Sequence, residues 1–269
     1  RYSILFAFPG ENIVLKDFSD FDFLKKLQDK SESTTLDSDF PFIGGWFVYL
    51  SYELIGQIEP TLAPKLHKSK LPIAYAVQIP SAIIIDHKLD KTFIIDQDNN
   101  QSRIDSILSD IKLFSKMPTR SIKVSQSEEV ENKFINGVKK SLDYIIAGDV
   151  FQVNLSRKWQ YELTEKTDSA LIYNALKKAN PAPFSALIQY ENFSIISSSP
   201  ERLFSVHDRV LETRPIAGTH PRGKGDLDKA QKDNLINHPK EIAEHVMLLD
   251  LERNDMGRVC EYGSVFVNE

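Results

Sequence analysis

The sequence predicts an α+β protein of layered sheets and helices, and three observations carry that prediction. Strand-like runs come in hairpin-like pairs, and helical periodicities fall between groups of strands instead of alternating with them one for one, which disfavours a doubly wound nucleotide fold. The third is composition: 269 residues, 41% hydrophobic and 10% aromatic, are enough to furnish a real core.

The N-terminal stretch reads as β-rich. Candidate strands occupy Arg1 to Phe8, Ile43 to Glu53, Ile73 to Asp86 and Lys91 to Asp96, with a helix at Asp20 to Lys30. The polar run Asp96 to Arg103 leads into a helix ending at Phe114, and Met117 to Val124, with Pro118, reads as a connector. The chain is therefore expected to divide into a β-rich region, 1–124, and a second region, 125–269. Ser125 and Glu128 have capping-box spacing, and Val130, Phe134, Val138, Leu142 and Ile145 follow at helical spacing until Gly148 supplies a stop.

A long strand is expected from Val150 to Tyr161, then a helix at Asp168 to Ala179 and paired strands at Ser185 to Tyr190 and Phe193 to Ser198. Strands at Leu203 to Val206 and Val210 to Thr213 lead into Glu212-Thr213-Arg214-Pro215-Ile216-Ala217-Gly218-Thr219-His220-Pro221-Arg222-Gly223. There Pro215 and Gly218 predict a sharp turn whose amides and Thr219 hydroxyl can face a small anion; an ordinary strand-to-loop turn fits the same letters. Helices at Leu227 to Asn234 and Pro239 to Leu251 follow, the second with proline in its first turn, where a missing amide hydrogen costs little. Gly263 to Val267 reads as a final strand.

Charge and cysteine usage narrow the function classes. Against 33 basic residues stand 38 acidic ones, a net charge of −5 without long single-sign runs, which argues against a nucleic-acid or anionic-membrane surface. The lone Cys260 excludes an internal disulfide, and a reducing, cytoplasmic setting is the default. The longest apolar runs, Phe42 to Leu50 and Ala82 to Ile85, fall well short of a membrane span. Strand-like sequence at both ends predicts an excerpt of a larger protein.

Three constellations can carry chemistry. Glu241 and Glu244, three residues apart, share one helix face and suit a hard cation such as Mg2+; a solvated face with a Lys240–Glu244 pair is the plainer reading. Glu201 follows Ser197-Ser198-Ser199-Pro200 and offers a carboxylic acid at a strand end, as a general acid or as an exposed turn residue paired with Arg202. Gln152 and Asn154, alternating with apolar neighbours, can point into a cleft, where an amide positions a ligand but cannot act as a base.

Six segments in this order resemble the chorismate-binding enzymes, the family that includes anthranilate, aminodeoxychorismate, isochorismate and salicylate synthases. They are Gly44-Gly45-Trp46-Phe47-Val48-Tyr49-Leu50-Ser51-Tyr52-Glu53, Ala147-Gly148-Asp149-Val150-Phe151-Gln152-Val153-Asn154-Leu155-Ser156, Asn180-Pro181-Ala182-Pro183-Phe184, Ser198-Ser199-Pro200-Glu201-Arg202, the Glu212–Gly223 segment, and Asp250-Leu251-Glu252-Arg253-Asn254-Asp255-Met256-Gly257-Arg258-Val259-Cys260. The resemblance implies a large layered α/β sandwich of the anthranilate synthase component I type, here lacking its C-terminal part, with chorismate and Mg2+ in a cleft. It makes Gly218 and Thr219 substrate contacts, Glu244 a direct Mg2+ ligand, Glu241 the holder of metal-bound water, and Glu201 the acid that assists departure of the substrate hydroxyl. Gln152 stands where isochorismate- and salicylate-forming relatives carry a water-activating lysine. The implied nucleophile is therefore ammonia, supplied by a glutamine amidotransferase partner.

The resemblance leaves two products open. Asn154, and Pro183-Phe184-Ser185 where anthranilate synthases tend to carry Pro-Tyr-Met lining a tryptophan pocket, favour 4-amino-4-deoxychorismate for folate biosynthesis. Ala217 favours anthranilate, because many aminodeoxychorismate synthases carry a nucleophilic lysine there and an alanine methyl cannot bond to the ring. A third expectation is an inactive binding or assembly fragment. The family's further metal-binding glutamates would follow Glu269, so the resemblance implies no turnover by these 269 residues alone.

Overall fold

A computed structural model describes all residues except 19, 32–37, 66–70, 114–121, 129–130 and 269. The chain separates into two compact units, Arg1–Lys116 and Met117–Glu269, each described by itself below.

Among the described residues, the first unit holds two three-stranded antiparallel sheets and three α-helices. Its strands are β1 (Tyr2–Ala7), β2 (Asn12–Leu15), β3 (Gly45–Leu50), β4 (Ala74–Ile79), β5 (Ser81–Asp86) and β6 (Lys91–Asp96). Its helices are α1 (Phe23–Lys30), the single turn α2 (Ile55–Ile58) and α3 (Gln101–Leu113). The strand expected over Ile73 to Asp86 is interrupted at Pro80, which cannot donate to a ladder. Its halves become the central strands of different sheets, β2-β4-β3 and β1-β5-β6. The register sets Ala76 opposite both Ile13 and Val48, and Ile84 opposite both Ile4 and Phe93.

Apolar side chains then close over the β2-β4-β3 sheet. Ile13, Leu15, Phe23, Leu54, Ala74 and Ala76 form a buried cluster, with Phe21, Leu27, Trp46 and Ile73 packed against it. Phe23 reaches it from α1, whose N-cap Asp22 accepts a hydrogen bond from the Lys25 amide at 3.0 Å. Residues Tyr52–Leu54, the first two of them expected at the end of a strand, form a 3-10 turn that delivers Leu54 to the same cluster. The strand β2 had no sequence-based expectation; four residues are too few for a periodicity, and its partner β4 lies some sixty positions on.

Two buried aspartates pin the second sheet at strand ends. Asp86 accepts from Arg1 Nη2 at 2.8 Å and from the Lys88 and Leu89 amides in the turn after β5. Asp96 accepts from Ser81 Oγ at 2.6 Å, Arg103 Nε at 2.7 Å and the Asn100 amide at 2.8 Å, joining β6 to the first turn of α3. Both carboxyls titrate below their ordinary 3.8, Asp86 at about 2, because the arginine hydrogen bond outweighs the cost of burial.

In the second unit, β7 (Val124–Glu128) pairs antiparallel with β8 (Trp159–Leu163), so Ser125 and Glu128 lie in a ladder and form no capping box. Helix α4 (Glu131–Ala147) begins after them; Val130, like Phe114 and most of the expected connector, lies outside the described residues. It ends as expected at Gly148, at φ +78°, where the Gly148 amide donates to Ile145 O and the Asp149 amide to Tyr144 O. The strand expected over Val150 to Tyr161 is formed only from Trp159 on, since the segment before it has no partner strand.

Helix α5 (Ser169–Ala179), capped by Asp168, lies against the hairpin β9 (Phe184–Tyr190) and β10 (Phe193–Ser199). The short hairpin β11 (Ser205–His207) and β12 (Val210–Glu212) follows, then α6 (Asp226–Ile236) and α7 (Pro239–Gly257). Helix α7 runs six residues past its expected end at Leu251, and Gly263 to Val267 forms no strand. No helix among the described residues is long and apolar enough to cross a membrane.

Candidate active site

Helix α7 opens with Pro239 at its start and His238 as N-cap, which places Glu241 in the first turn, where the helix dipole favours a carboxylate. Glu244 follows one turn on, and both side chains are half-buried. Each carboxylate abuts another part of the second unit.

Glu241 faces Gly218. This glycine sits at φ +70°, and a Cβ added to it would stand 2.8 Å from Glu241 Cδ and closer still to Oε2. Glycine is thus required twice, by the backbone conformation and by the close approach. Glu244 meets Gln152, whose Nε2 donates to Glu244 Oε1 at 3.4 Å across 92 positions of sequence. The Lys240–Glu244 reading is not needed to account for this carboxylate.

Glu201 joins the same constellation through the backbone. Its Oε1 accepts from the Ile216 amide at 2.8 Å, two residues before Gly218, and its own amide and carbonyl bond to Ser199 Oγ. Arg202, the partner considered for Glu201, instead approaches Glu212 at 3.7 Å. Ala217 is half-buried and Thr219 exposed, on either side of Gly218.

The loop that carries Gly218 is anchored beyond it. Arg222 donates to both oxygens of Asp228 at 2.6 Å through Nε and Nη2, and the Gly223 amide donates to Asp228 Oδ1 at 2.9 Å. These bonds hold the Asp228 carboxyl down at about 2 and raise Arg222 above its ordinary range. On the other side, His220 stacks edge-on to His238 with ring centroids 6.5 Å apart, tying the loop to the start of α7. Sequence reasoning missed this clamp; its only local signal is an arginine and an aspartate flanking a glycine-rich step.

Pro183, Phe184 and Ser185 stand at the entry to β9. Phe184 and Ser185 pair with Ser199 and Ser198, so they neighbour the strand end that leads to Glu201. Ser185 Oγ donates to Ala182 O at 2.8 Å and Ser198 Oγ to Asn180 O at 2.5 Å, so their hydroxyls brace the turn.

Glu241 and Glu244 fit Mg2+ in donor type, and the absent side chain at Gly218 leaves the room that the Glu241 carboxylate occupies. Among the described residues no group of three or more His, Cys, Asp and Glu side chains assembles. Two carboxylates with the remaining positions open to water and substrate oxygens are an arrangement that Mg2+ commonly adopts.

The sequence profile of a family described as chorismate binding enzyme matches residues 5–269. Aminodeoxychorismate synthase component 1 of Bacillus subtilis (strain 168) is 38% identical over 254 residues, which cover 89% of this chain and 54% of that protein. Anthranilate synthase component 1 of Lactococcus lactis subsp. lactis (strain IL1403) is 34% identical over 294 residues, covering 99% of this chain and 64% of the relative. The crystal structure of anthranilate synthase component I from Streptococcus pneumoniae TIGR4 superposes with a TM-score of 0.81 at 27% identity, over 100% of this chain and 64% of that one. The fold is thus of the anthranilate synthase component I type, and the chain spans between 54% and 64% of the length of these relatives.

Proposed function

This chain belongs to the chorismate-binding enzyme family, and on that premise we propose that the intact protein aminates chorismate to 4-amino-4-deoxychorismate. Ammonia comes from a glutamine amidotransferase subunit, and the product serves folate biosynthesis. The observation that carries amination over hydration is Gln152 donating to Glu244, and the preference for the 4-amino product rests on Asn154 and Pro183-Phe184-Ser185. A neutral amide beside the carboxylate pair cannot take a proton from water, so the nucleophile is one that needs no base there.

Glu244 would hold Mg2+ directly and Glu241 its bound water, and the ion would supply positive charge against the substrate's carboxylate. The backbone around Gly218 and the Thr219 hydroxyl bind the substrate, with Ala217 facing the ring. Glu201, oriented by the Ile216 amide on one oxygen, is the acid that assists departure of the ring hydroxyl as water. Ammonia replaces that hydroxyl at the same carbon, by a route that uses no covalent lysine.

Anthranilate formation is the second reading, and Ala217 favours it, since ammonia then attacks ring carbon 2 directly, the hydroxyl leaves from carbon 4 as water, and pyruvate is lost in a later step. Product analysis separates the two. Incubation of the intact protein with chorismate, Mg2+ and ammonium salt is expected to give 4-amino-4-deoxychorismate without pyruvate. Fluorescent anthranilate with one equivalent of pyruvate would establish the second reading instead.

A further inference from the structure

We propose that Gln152 is a positioning residue that aims the Glu244 carboxylate, and that its neutral amide sets how tightly the carboxylate pair binds a divalent cation. The inference rests on the Mg2+ assignment above and adds to it a role that the missing base does not explain. Its starting point is the backbone. After α4, the turn at Gly148 sends the chain into a segment, residues 150–158, with no strand partner. Nothing regular holds that segment, yet its Gln152 side chain reaches α7 and donates to Glu244 Oε1 at 3.4 Å.

The two carboxylates are braced in different ways. Glu241 is confined by the bare backbone of Gly218, whereas Glu244 has a side-chain donor. A donor on one oxygen fixes the carboxylate's rotation and leaves the other oxygen free for a cation. An amide does this without charge, so the site keeps its full negative charge. A cationic donor at the same place would neutralise part of it. The hydrogen bond is long and exposed, which places its effect at the lower end of what partners of metal ligands contribute, on the order of tenfold in affinity.

The test is Mg2+ titration calorimetry on the intact protein and on Gln152→Met, Glu244→Gln and the double variant, with Mg2+-dependent activity measured alongside. Methionine keeps the side chain's length and removes the donor. Gln152→Met is expected to weaken Mg2+ binding about three- to tenfold, and to recover activity as Mg2+ is raised. Glu244→Gln is expected to lose more, and adding Gln152→Met to it to change nothing further, because the carboxylate that the donor aims is already gone. Gln152→Asn, too short to reach, is expected to behave like Gln152→Met.

Unchanged Mg2+ affinity in both Gln152 variants would overturn the proposal while leaving the metal assignment standing. So would a loss that adds in full to that of Glu244→Gln, or lost activity that no Mg2+ concentration restores. Unchanged affinity in Glu244→Gln would overturn the metal assignment itself, and this proposal with it.

Discussion

Every fully buried side chain among the described residues belongs to Arg1–Lys116, whereas the candidate site lies entirely in Met117–Glu269, where no described residue is fully buried. In the first unit the β2-β4-β3 sheet is closed by Phe23, Leu54 and the small residues of β4, and the aspartates at the ends of the other sheet are saturated with donors. In the second, the apolar stripe of α4 stays half open, with Val138, Leu142 and Ile145 each more than a third exposed. The site residues there are held instead by single hydrogen bonds and one close backbone approach. Within these 269 residues burial and the candidate site thus fall on different side chains, and substitutions should separate them.

The largest separation is expected at the carboxylates. Glu244→Ala should abolish Mg2+-dependent turnover, and Glu241→Ala should weaken it, since the second carboxylate is assigned to metal-bound water. Neither change removes packed apolar surface, so melting temperatures should stay near that of the parent protein. Full activity in both variants at limiting Mg2+ would remove the metal assignment. A collapse in melting temperature would instead show that the site is part of what stabilises its unit.

Phe23→Ala tests the other side. Phe23 is fully buried in the first unit's cluster, and emptying its place should cost about 3–5 kcal/mol in denaturant unfolding. Leu142→Ala, on the half-exposed stripe of α4, should cost less than about 1.5 kcal/mol, because only part of its surface leaves water on folding. Comparable losses at the two positions would mean that the contrast in burial does not govern stability.

Gly218→Ala sits between these extremes. The added methyl must displace the Glu241 carboxylate and hold φ +70° against its preference, a backbone strain of about 1–2 kcal/mol. Turnover should fall roughly a hundredfold, as expected for an ångström-scale misplacement in a site, while unfolding shifts only by the strain. Parent-like kinetics with chorismate would show that Gly218 does not shape the site.

What the sequence made legible follows the same division. Strand β6 lies at Lys91–Asp96 as read from its letters, and α7 begins at Pro239, because alternation and a first-turn proline are local signals. Ser125 and Glu128 have capping letters but lie in a strand, because Trp159–Leu163 pairs with them from some thirty residues away. The interruption at Pro80 was visible as a letter, though not its outcome, in which each half centres a separate sheet. In the site, the spacing of Glu241 and Glu244 was readable, since three residues on a helix make one face. Their abutments, Gly218 and Gln152, come from distant segments that no local window joins.

Acid should distinguish the units by a smaller effect. Asp86 has an ordinary value of 3.8 and a folded value of about 2, as does Asp228, and Asp96 lies lower still. A carboxyl whose folded value is depressed contributes stability that is fully present above its unfolded value and is lost as pH falls through the folded one. The window for Asp86 and Asp228 therefore runs from about 4 down to about 2. Asp86→Asn should flatten the acid dependence of unfolding in the first unit, because its partners Arg1 and the turn amides then face a group that does not titrate. Asp228→Asn should leave that dependence in place and loosen the Arg222–Gly223 clamp, which appears as a modest rise in KM for chorismate at neutral pH. If Asp228→Asn changed unfolding as much as Asp86→Asn and left KM untouched, the clamp would belong to the stability of the second unit and not to the placement of Gly218.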